Sequence, residues 1–453
     1  MNEKHLAGKI YAVIGLARAG APAARFLVER GARVLGYDSR ELSELSDEAR
    51  ALAPSGVELH TGAHDFAGLE ECDVIVLSPG LKIHHEPLRS ILERCAARGT
   101  EVIGELELAF RHCPAPIIAV TGTKGKSTTV KLISEMLQSC GENAIRAGNT
   151  GIPLIAELPN LAADSWAVVE VSSFQLERAP TFKPRIAVLL NLLADHQDYH
   201  PTLEQYWATK LKIFANQDGQ GTAVFNVDDN RVAALLDGSE LNGLRARVVK
   251  ASARNVDLAE IPLRGEHNRS NLAAALAAVQ AALGERAGDC RAQIAEAVCQ
   301  FESLPHRLEI VDCIDGVTWV NDSQATIPDA AVRALQAFAP PVTLIAGGRA
   351  KLENDDAFDG LGQAINHHAH CLLTIGEAAP ALATAARRAG FDAAKISDAR
   401  NLAQAVIEAR TRTPAGGTVV LSPACASFDQ FKSFEERGEA FRAAVAALTA
   451  RKK

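Results

Sequence analysis

The sequence lacks the marks of several broad classes of protein. Its nine cysteines are odd in number, scattered and without a CxxC pair, which is typical of a reducing cytosol and not of a disulfide framework. No apolar stretch approaches the ~20 residues of a membrane span. The opening MNEKHLAGKIYAVIG is too polar before its first apolar run to be a signal peptide. We therefore expect a cytoplasmic protein without membrane insertion.

An excess of positive charge is also missing. The net charge is −8 and the pI about 5.9, which argues against a general binder of nucleic acid or membrane surfaces. A local basic pocket for an anionic substrate stays open. We expect small-molecule partners, no nucleic acid, and a monomer.

What the sequence does contain is alternation of short apolar runs with amphipathic helical stretches, which predicts parallel sheets in the α/β class. With 453 residues, about three domains are expected at ~150 residues each. We place their boundaries at 1–104, 105–303 and 304–453. The predicted strands are Ile10–Leu16, Arg33–Asp38, Asp73–Ser78, Ile117–Val120, Ala167–Val171, Ile186–Leu190, Thr222–Asn226, Val317–Asn321, Val342–Ala346, Cys371–Ile375 and Thr418–Ser422, with a helix over Asn271–Leu283.

The strongest single motif is a glycine-rich loop between a predicted strand and a predicted helix. Its glycines let backbone N–H groups turn toward phosphate oxygens, and the helix N-terminus adds partial positive charge. A lysine in the loop can reach the β- and γ-phosphates, and a serine can ligate Mg²⁺. The residues concerned are Gly122, Thr123, Lys124, Gly125, Lys126, Ser127 and Thr128.

The loop is not a regular Walker A motif, because Val120 stands where that motif has its first glycine. A strand-to-helix turn with an incidental lysine is the alternative interpretation. Since strand, GxxGKST and helix occur in order, we interpret the middle section as a binder of ATP or GTP.

Several further segments, together with this loop, resemble the Mur ligases. The loop matches the family's TGTxGK[ST], and the other matching segments are spread along all three sections. They are Glu170–Leu176 (family ELSSFQLE), Asn191–His196 (NxxxDH), Leu304–Arg307 (LPHR), Asn321–Thr326 (NDSKAT, all but one position) and Ser422–Phe431 (SPACASxDQF). The last segment points to the glutamate-adding branch of the family.

The resemblance implies a fold and an activity. The fold would be a Rossmann-like UDP-binding N-domain, a P-loop mononucleotide-binding central domain and a Rossmann-like C-domain. The activity would be ATP-dependent ligation of D-glutamate to UDP-N-acetylmuramoyl-L-alanine through an acyl phosphate, in peptidoglycan precursor synthesis. ATP and Mg²⁺ are the expected cofactors, with domain closure expected on binding.

The resemblance also implies roles for individual residues. Lys126, Glu170, His196 and Lys210 would be catalytic, and Ser127, Glu170, His196 and a carbamate on Lys210 would hold Mg²⁺. From spacing alone, Lys210 reads as a helical surface lysine and His196 as a structural histidine. A carbamate requires a deprotonated lysine, which a desolvated site promotes.

The remaining implied contacts fall into three groups. Asn268 and Asn271 would border the adenine, although both also read as helix N-caps; Arg307 would approach the phosphates and Asp322 the ribose. The UDP-substrate would contact Arg18, Ala19, Asp38, Ser39, Arg40, Ser78, Gly80, Asn149 and His196. Glutamate would contact Thr326, Lys351, Ser427 and Phe434.

Three alternatives and three departures stay open. The first departure is Ala17, which replaces the middle glycine of the first loop. Gly15–Gly20 with Asp38 forms a degraded nicotinamide fingerprint, which is weak alone. Another ligase of the superfamily, or a P-loop ATPase that forms no amide, would share the nucleotide loop. Gln324 replaces the lysine of NDSKAT, and Arg349 replaces an acidic residue in the family's GGDGK, which puts the details of amino-acid binding in question.

Overall fold

The computed structural model describes residues 6–62, 66–195, 199–256, 266–302, 305–350 and 356–450. Its internal contacts divide the chain into two compact units. The first comprises Met1–Pro262 and Glu266–Phe301, and the second Leu263–Gly265 and Glu302–Lys453. Among the described helices, none is both long and apolar enough to cross a bilayer.

The first unit opens with a five-stranded parallel sheet. Its strands, in the spatial order β3-β2-β1-β4-β5, are β1 (Ile10–Ile14), β2 (Arg33–Asp38), β3 (Val57–Thr61), β4 (Val74–Leu77) and β5 (Glu101–Gly104). The helices between and after them are α1 (Gly20–Val28), α2 (Asp47–Arg50), α3 (Leu88–Ala97) and α4 (Glu105–His112). The loops that follow the strands lie at the carboxyl edge of the sheet, where parallel sheets place their binding sites.

A six-stranded parallel sheet completes the first unit. In the spatial order β11-β10-β9-β6-β8-β7, its strands are β6 (Ile117–Thr121), β7 (Ala144–Gly148), β8 (Trp166–Glu170), β9 (Ile186–Leu189), β10 (Thr222–Asn226) and β11 (Arg247–Ala251). Its helices are α5 (Lys126–Ser139), α6 (Leu154–Glu157), α7 (Ser173–Glu177), α8 (Leu203–Leu211), α9 (Asn230–Leu235), α10 (Glu266–Leu283) and α11 (Arg291–Cys299). One apolar core runs through both sheets, from Leu6 to Ala246.

The second unit contains a mixed six-stranded sheet. In the order β12-β13-β17-β14-β15-β16, its strands are β12 (Glu309–Ile314), β13 (Val317–Asn321), β14 (Val342–Gly347), β15 (Ala369–Ile375), β16 (Ile396–Arg400) and β17 (Thr418–Leu421). The helices are α12 (Pro328–Gln336), α13 (Asp359–His368), α14 (Ala379–Arg388), α15 (Leu402–Arg412) and α16 (Phe434–Ala450). Two separate apolar clusters cover the sheet, one including Leu361 and Leu382 and the other Leu402 and Phe441.

The predicted α/β class is confirmed, with two corrections of detail. Strand β12 pairs antiparallel with β13, so this sheet is not purely parallel as expected. Helix α10 begins at Glu266 and not at Asn271, so Asn268 and Asn271 lie inside the helix and neither is its N-cap. The three predicted domain boundaries stay a prediction.

Candidate active site

The glycine-rich loop joins β6 to α5 and is shaped by two close approaches. Gly122 has φ +153°, and a Cβ there would lie 2.9 Å from the Cβ of Leu190. Gly125 has φ +87°, and its Cβ would lie 2.4 Å from Oδ1 of Asn271. Both positions therefore require glycine, because a side chain would collide and the backbone angles disfavour L-residues. Helix α5 begins directly afterwards, at Lys126.

Asn191, which follows β9, ties down the middle of this loop. Its Oδ1 accepts from the backbone N–H of Lys124 at 2.9 Å, and its Nδ2 donates to the carbonyl of the same residue at 3.0 Å. The hydroxyl of Thr123 donates to the Leu193 carbonyl at 3.2 Å, and the Lys124 ammonium lies 3.1 Å from Asp195. The loop is thus held open by the segment after β9, a preorganised cradle for phosphate.

Glu170 ends strand β8 beside the start of α5 and is buried. Ser127 donates to it at 2.5 Å, Asn149 at 2.9 Å and Thr150 at 2.8 Å. Burial alone would raise the pKa of Glu170, but the charge of Lys126 and these three hydrogen bonds outweigh it and hold the pKa below its usual range. The site therefore contains an ionised carboxylate next to a serine hydroxyl, both hard oxygen ligands.

Two lysines converge on one backbone oxygen. The ammonium of Lys126 lies 3.0 Å from the Gly122 carbonyl, and that of Lys210 lies 3.0 Å from the same atom. Lys210 is only 2% exposed. Burial first, and then the charge of Lys126, lower the pKa of Lys210 well below its ordinary value, although Asp195 opposes them. The interpretation of Lys210 as a surface lysine is wrong.

Most residues predicted for the UDP-substrate lie at the carboxyl edge of the first sheet. Asp38 is buried, and it accepts from the backbone N–H of Leu16 at 2.8 Å and from Arg40 at 2.9 and 2.8 Å. Burial opposes ionisation of Asp38, but the bonds to Arg40 prevail and lower its pKa. The residues at the ends of β1, β2 and β4 or in the loops that follow are Arg18, Ala19, Asp38, Ser39, Arg40, Ser78 and Gly80.

Asn149 connects this edge with the nucleotide loop. Its backbone carbonyl accepts from the guanidinium of Arg18, its side chain donates to Glu170, and its N–H donates to the Glu170 carbonyl at 2.8 Å. Arg18 follows a strand of the first sheet and Glu170 ends a strand of the second, and both sheets belong to the same unit. One asparagine therefore lies between a predicted substrate contact and a predicted metal ligand.

The second unit holds the other predicted contacts on its loops. Asp322, which follows β13, is buried and accepts from Ser422 at 2.8 Å and from the Leu308 N–H at 3.2 Å. Ser323 donates to the Phe434 carbonyl at 2.7 Å. The predicted residues described here are Arg307, Asp322, Thr326, Ser427 and Phe434.

A buried arginine joins two of these loops. Arg437 donates to the side chain of Ser323 at 3.0 Å and to the Cys425 carbonyl at 3.2 Å. Burial lowers the pKa of Arg437 to about 10, which leaves it charged at neutral pH. Arg437 thereby joins the loop before Thr326 to the loop before Ser427.

Two predicted site residues, His196 and Lys351, lie outside the described residues. Sequence reasoning missed three others that the structure places at the site. Thr150 donates to Glu170, Arg437 is described above, and the Tyr206 hydroxyl donates to Thr123 at 3.3 Å, with its ring 4.5 Å from the Lys210 ammonium. Tyr206 could have been found, since it stands four residues before Lys210 on one helix and so on the same face.

Parallel sheets that carry a preorganised phosphate loop and an ionised carboxylate beside it define an α/β protein of the phosphate-loop class. Three family profiles identify the family within this class. They are the Mur ligase MurD-like N-terminal domain over residues 9–104, the Mur ligase middle domain over 120–279, and the Mur ligase glutamate ligase domain over 306–425. The chain belongs to the Mur ligase family.

Individual relatives agree along nearly the whole chain. The UDP-N-acetylmuramoylalanine–D-glutamate ligase of Pelotomaculum thermopropionicum is 39% identical, covering 96% of this chain and 97% of its own. That of Geobacter sp. strain M21 is 37% identical, with 98% of each covered. Among solved structures, MurF ligase from Thermotoga maritima in complex with ADP superposes with a TM-score of 0.58 at 17% identity, covering 98% of this chain and 97% of that one. The solved structures support the fold.

Proposed function

We propose that this protein joins D-glutamate to UDP-N-acetylmuramoyl-L-alanine, using ATP, as a step of peptidoglycan synthesis. The observation that carries the proposal is the similarity, over nearly the whole chain, to ligases named for this reaction, which are 35–39% identical. The three family profiles agree with it. The preorganised phosphate loop supports the ATP half of the reaction. The ligation itself transfers the γ-phosphoryl group to the alanyl carboxylate. The glutamate nitrogen then bonds to the acyl carbon, the C–O bond to phosphate breaks, and one N–H proton is lost.

The nucleotide end of the reaction depends on charge neutralisation. Phosphoryl transfer involves little covalent work by the protein, so positioning and electrostatics dominate. The loop N–H groups and α5 hold the phosphates, and Lys126 neutralises charge that grows on the transferred group. Asn268 and Asn271 face the adenine in this proposal, Arg307 the phosphates and Asp322 the ribose. The structure supports the placement of Asn271 next to the loop, since it packs against Gly125.

The donors around Glu170 fit Mg²⁺, which prefers hard oxygen ligands. Glu170 is ionised and Ser127 hydrogen-bonds to it. In the part of the chain that the structure describes, no three His, Cys, Asp or Glu side chains are grouped to hold a metal. We infer, as the resemblance to the family implies, that Ser127, Glu170, His196 and a carbamate on Lys210 hold the ion together. Bound Mg²⁺ would neutralise phosphate charge.

The surroundings of Lys210 support the carbamylation that the resemblance to the family implies. A buried ammonium that shares a carbonyl with Lys126 is repelled by it, and both burial and this repulsion favour the neutral amine. A neutral amine adds CO₂ with loss of one proton and becomes an anion. The anion would attract Lys126 where the ammonium repels it, so the modification relieves the conflict that the site creates.

The two substrates bind to different edges in this proposal. The UDP-substrate contacts Arg18, Ala19, Asp38, Ser39, Arg40, Ser78, Gly80, Asn149 and His196, and glutamate contacts Thr326, Lys351, Ser427 and Phe434. The substitution at Arg349 does not add an unmatched cation there. Its guanidinium pairs with Glu377 through two bonds, at 3.0 and 2.8 Å. We therefore infer that Lys351 remains the cation for glutamate. The names of the relatives, which are ligases of D-glutamate, support selection of the D-isomer.

We also propose that the enzyme works in the cytoplasm as a monomer. All nine cysteines are described, and none forms a disulfide in the structure. Reduced cysteines are what a cytosolic redox poise maintains.

Phosphate release measured with purified protein, ATP, Mg²⁺ and UDP-N-acetylmuramoyl-L-alanine tests the function. We expect release only when D-glutamate is added, with L-glutamate, alanine and lysine inactive. Release that needs no amino acid would identify an ATPase instead. Ligation of L-glutamate would overturn the specificity and leave the ligase standing.

Lys210→Ala tests the carbamate. Its activity should be nearly lost and partly restored by formate or acetate, while the native protein should show the added mass on Lys210. Lys212→Ala is a matched control, because it removes an exposed lysine two positions further along the chain and leaves Lys210 in place. Full activity of an unmodified enzyme in bicarbonate-free buffer would contradict this part of the proposal.

A further inference from the structure

Arg307 lies on a short loop whose backbone is fixed on both sides. His306 has φ +62° and Leu308 φ +44°, two left-handed conformations that non-glycine residues rarely adopt. The His306 N–H donates to Glu309 at 2.8 Å, and the Leu308 N–H donates to Asp322 at 3.2 Å. Such strained residues persist only where their surroundings hold them, and they cluster at functional sites.

The side chain of Arg307 is held as well, by Gln324. The Gln324 amide oxygen accepts from Nε of Arg307 at 2.9 Å, and the Gln324 backbone N–H donates to the His306 carbonyl at 3.0 Å. Because the guanidinium is rigid, a bond at Nε restricts the direction in which the whole group points.

Gln324 is the position at which this chain departs from the NDSKAT pattern of the family. A lysine side chain has three donors and no acceptor, so it could not receive the Arg307 N–H. It would also place a second cation near the guanidinium. The substitution to glutamine therefore replaces repulsion of Arg307 by a hydrogen bond to it.

We propose that Gln324 is a positioning residue for Arg307. Gln324 thereby affects nucleotide binding and not the choice of amino acid. The inference rests on the proposed function, in which Arg307 contacts the ATP phosphates. An arginine that is already oriented loses less side-chain entropy when the phosphates bind. Gln324 thus affects the affinity for ATP through Arg307, a residue that is not among the proposed glutamate contacts.

Gln324→Met tests the proposal, because methionine keeps the length of the side chain and removes the acceptor. We expect KM for ATP to rise about 3–10-fold, as loss of one hydrogen bond implies, with kcat and KM for D-glutamate nearly unchanged. Gln324→Lys should raise KM for ATP at least as much. Gln336→Met is the matched control, since Gln336 is exposed at the end of α12 in the same unit and should leave all three parameters unchanged.

A coupling measurement separates positioning from a general effect on the fold. In an Arg307→Lys background, which has no Nε in that place, Gln324→Met should cause little further change in KM for ATP. Additive losses would refute the proposal, as would a shift in KM for D-glutamate with KM for ATP unchanged. If the wild-type protein ligates normally and Gln324→Met has the same kinetic parameters, this inference alone is refuted. Wild-type protein that does not ligate would refute the proposed function.

Discussion

Asp322 offers a prediction whose size follows from the structure. Its carboxyl is buried at the carboxyl ends of β13 and β17, and burial raises its pKa to about 7, from an ordinary 3.8, even though Ser422 and the Leu308 N–H donate to it. Because this carboxyl is proposed to contact the ribose of ATP, we infer that it serves nucleotide binding although it lowers the stability of the folded protein. Asp322→Asn should separate the two effects.

The sign follows from proton linkage. Because the folded-state pKa of Asp322 lies above the unfolded one, the folded state binds the proton more tightly between pH 4 and 7. This contribution to stability is therefore fully present below about pH 4 and is lost as pH rises through 7. The gap between 3.8 and about 7 corresponds to at most about 4 kcal/mol.

Asparagine is neutral at every pH in this range and keeps an acceptor for the Leu308 N–H, while the Ser422 hydroxyl can turn to accept from its amide. Asp322→Asn should therefore match the wild type near pH 4 and exceed its free energy of unfolding at pH 8. Its affinity for ATP should fall at the same time.

Hydrogen exchange measured by mass spectrometry on peptides from β13 and β17 would report this unit separately from the first. Exchange free energies of both proteins at pH 5 and 8 give the two differences to be compared, after correction for intrinsic rates. Asp329→Asn, which changes an exposed carboxylate at the start of α12, is the control and should show no such gain. Parallel pH dependence of the wild type and Asp322→Asn would refute the reasoning.

Three other variants address the first unit. Lys126→Ala should reduce phosphate release by ~10²-fold or more while the circular dichroism spectrum stays native, and near-normal turnover would mean that the loop is misassigned. Glu170→Gln removes the negative charge, so the Mg²⁺ concentration for half-maximal activity should rise, and an unchanged titration would exclude Glu170 as a ligand. Gly125→Ala adds a Cβ only 2.4 Å from Asn271 and should weaken binding of ATP measured by calorimetry, whereas Gly141→Ala, with open space around its Cβ, should not.

The strands that could be predicted from the sequence share a position in their sheets. Every strand flanked by two neighbours was expected within a few residues, including β6, β9 and β14, whose residues are all buried. Strands buried on both faces are continuous apolar runs and are easily recognised. The six edge strands were missed. They are β3, β5, β7, β11, β12 and β16.

Edge strands are hard to predict because half of their surroundings is solvent. In β11, Arg247–Ala251, only Ala251 is buried, and in β12 only Ile314 is buried, with Ile310 exposed. Their strand conformation comes from pairing with a neighbour that the local sequence does not contain. The antiparallel direction of β12 has the same origin, since it is fixed by the short turn at Gly316 and not by composition.

The candidate site divides in a similar way. Residues within one segment, such as Lys126 and Ser127, carry a motif that predicts their chemistry from spacing alone. Lys210 carries no such signal, because its conflict with Lys126 arises at the nucleotide loop, where its contact Gly122 is 88 positions away in the chain. Spacing predicted a surface lysine there, and only the resemblance to the family corrected it.

The two substituted positions show why charges in such a site cannot be counted one at a time. From the sequence, Gln324 removes a cation and Arg349 adds one, which suggests that the second replaces the first. The structure gives each a different partner, since Gln324 accepts from Arg307 and Arg349 pairs with Glu377. An exposed pair of this kind contributes little and is screened by salt. The two positions therefore do not compensate for each other. The Gln324→Lys, Arg349→Asp double variant should show the same rise in KM for ATP as Gln324→Lys alone. Recovery of wild-type KM for ATP in that double variant would show that the two positions do compensate each other.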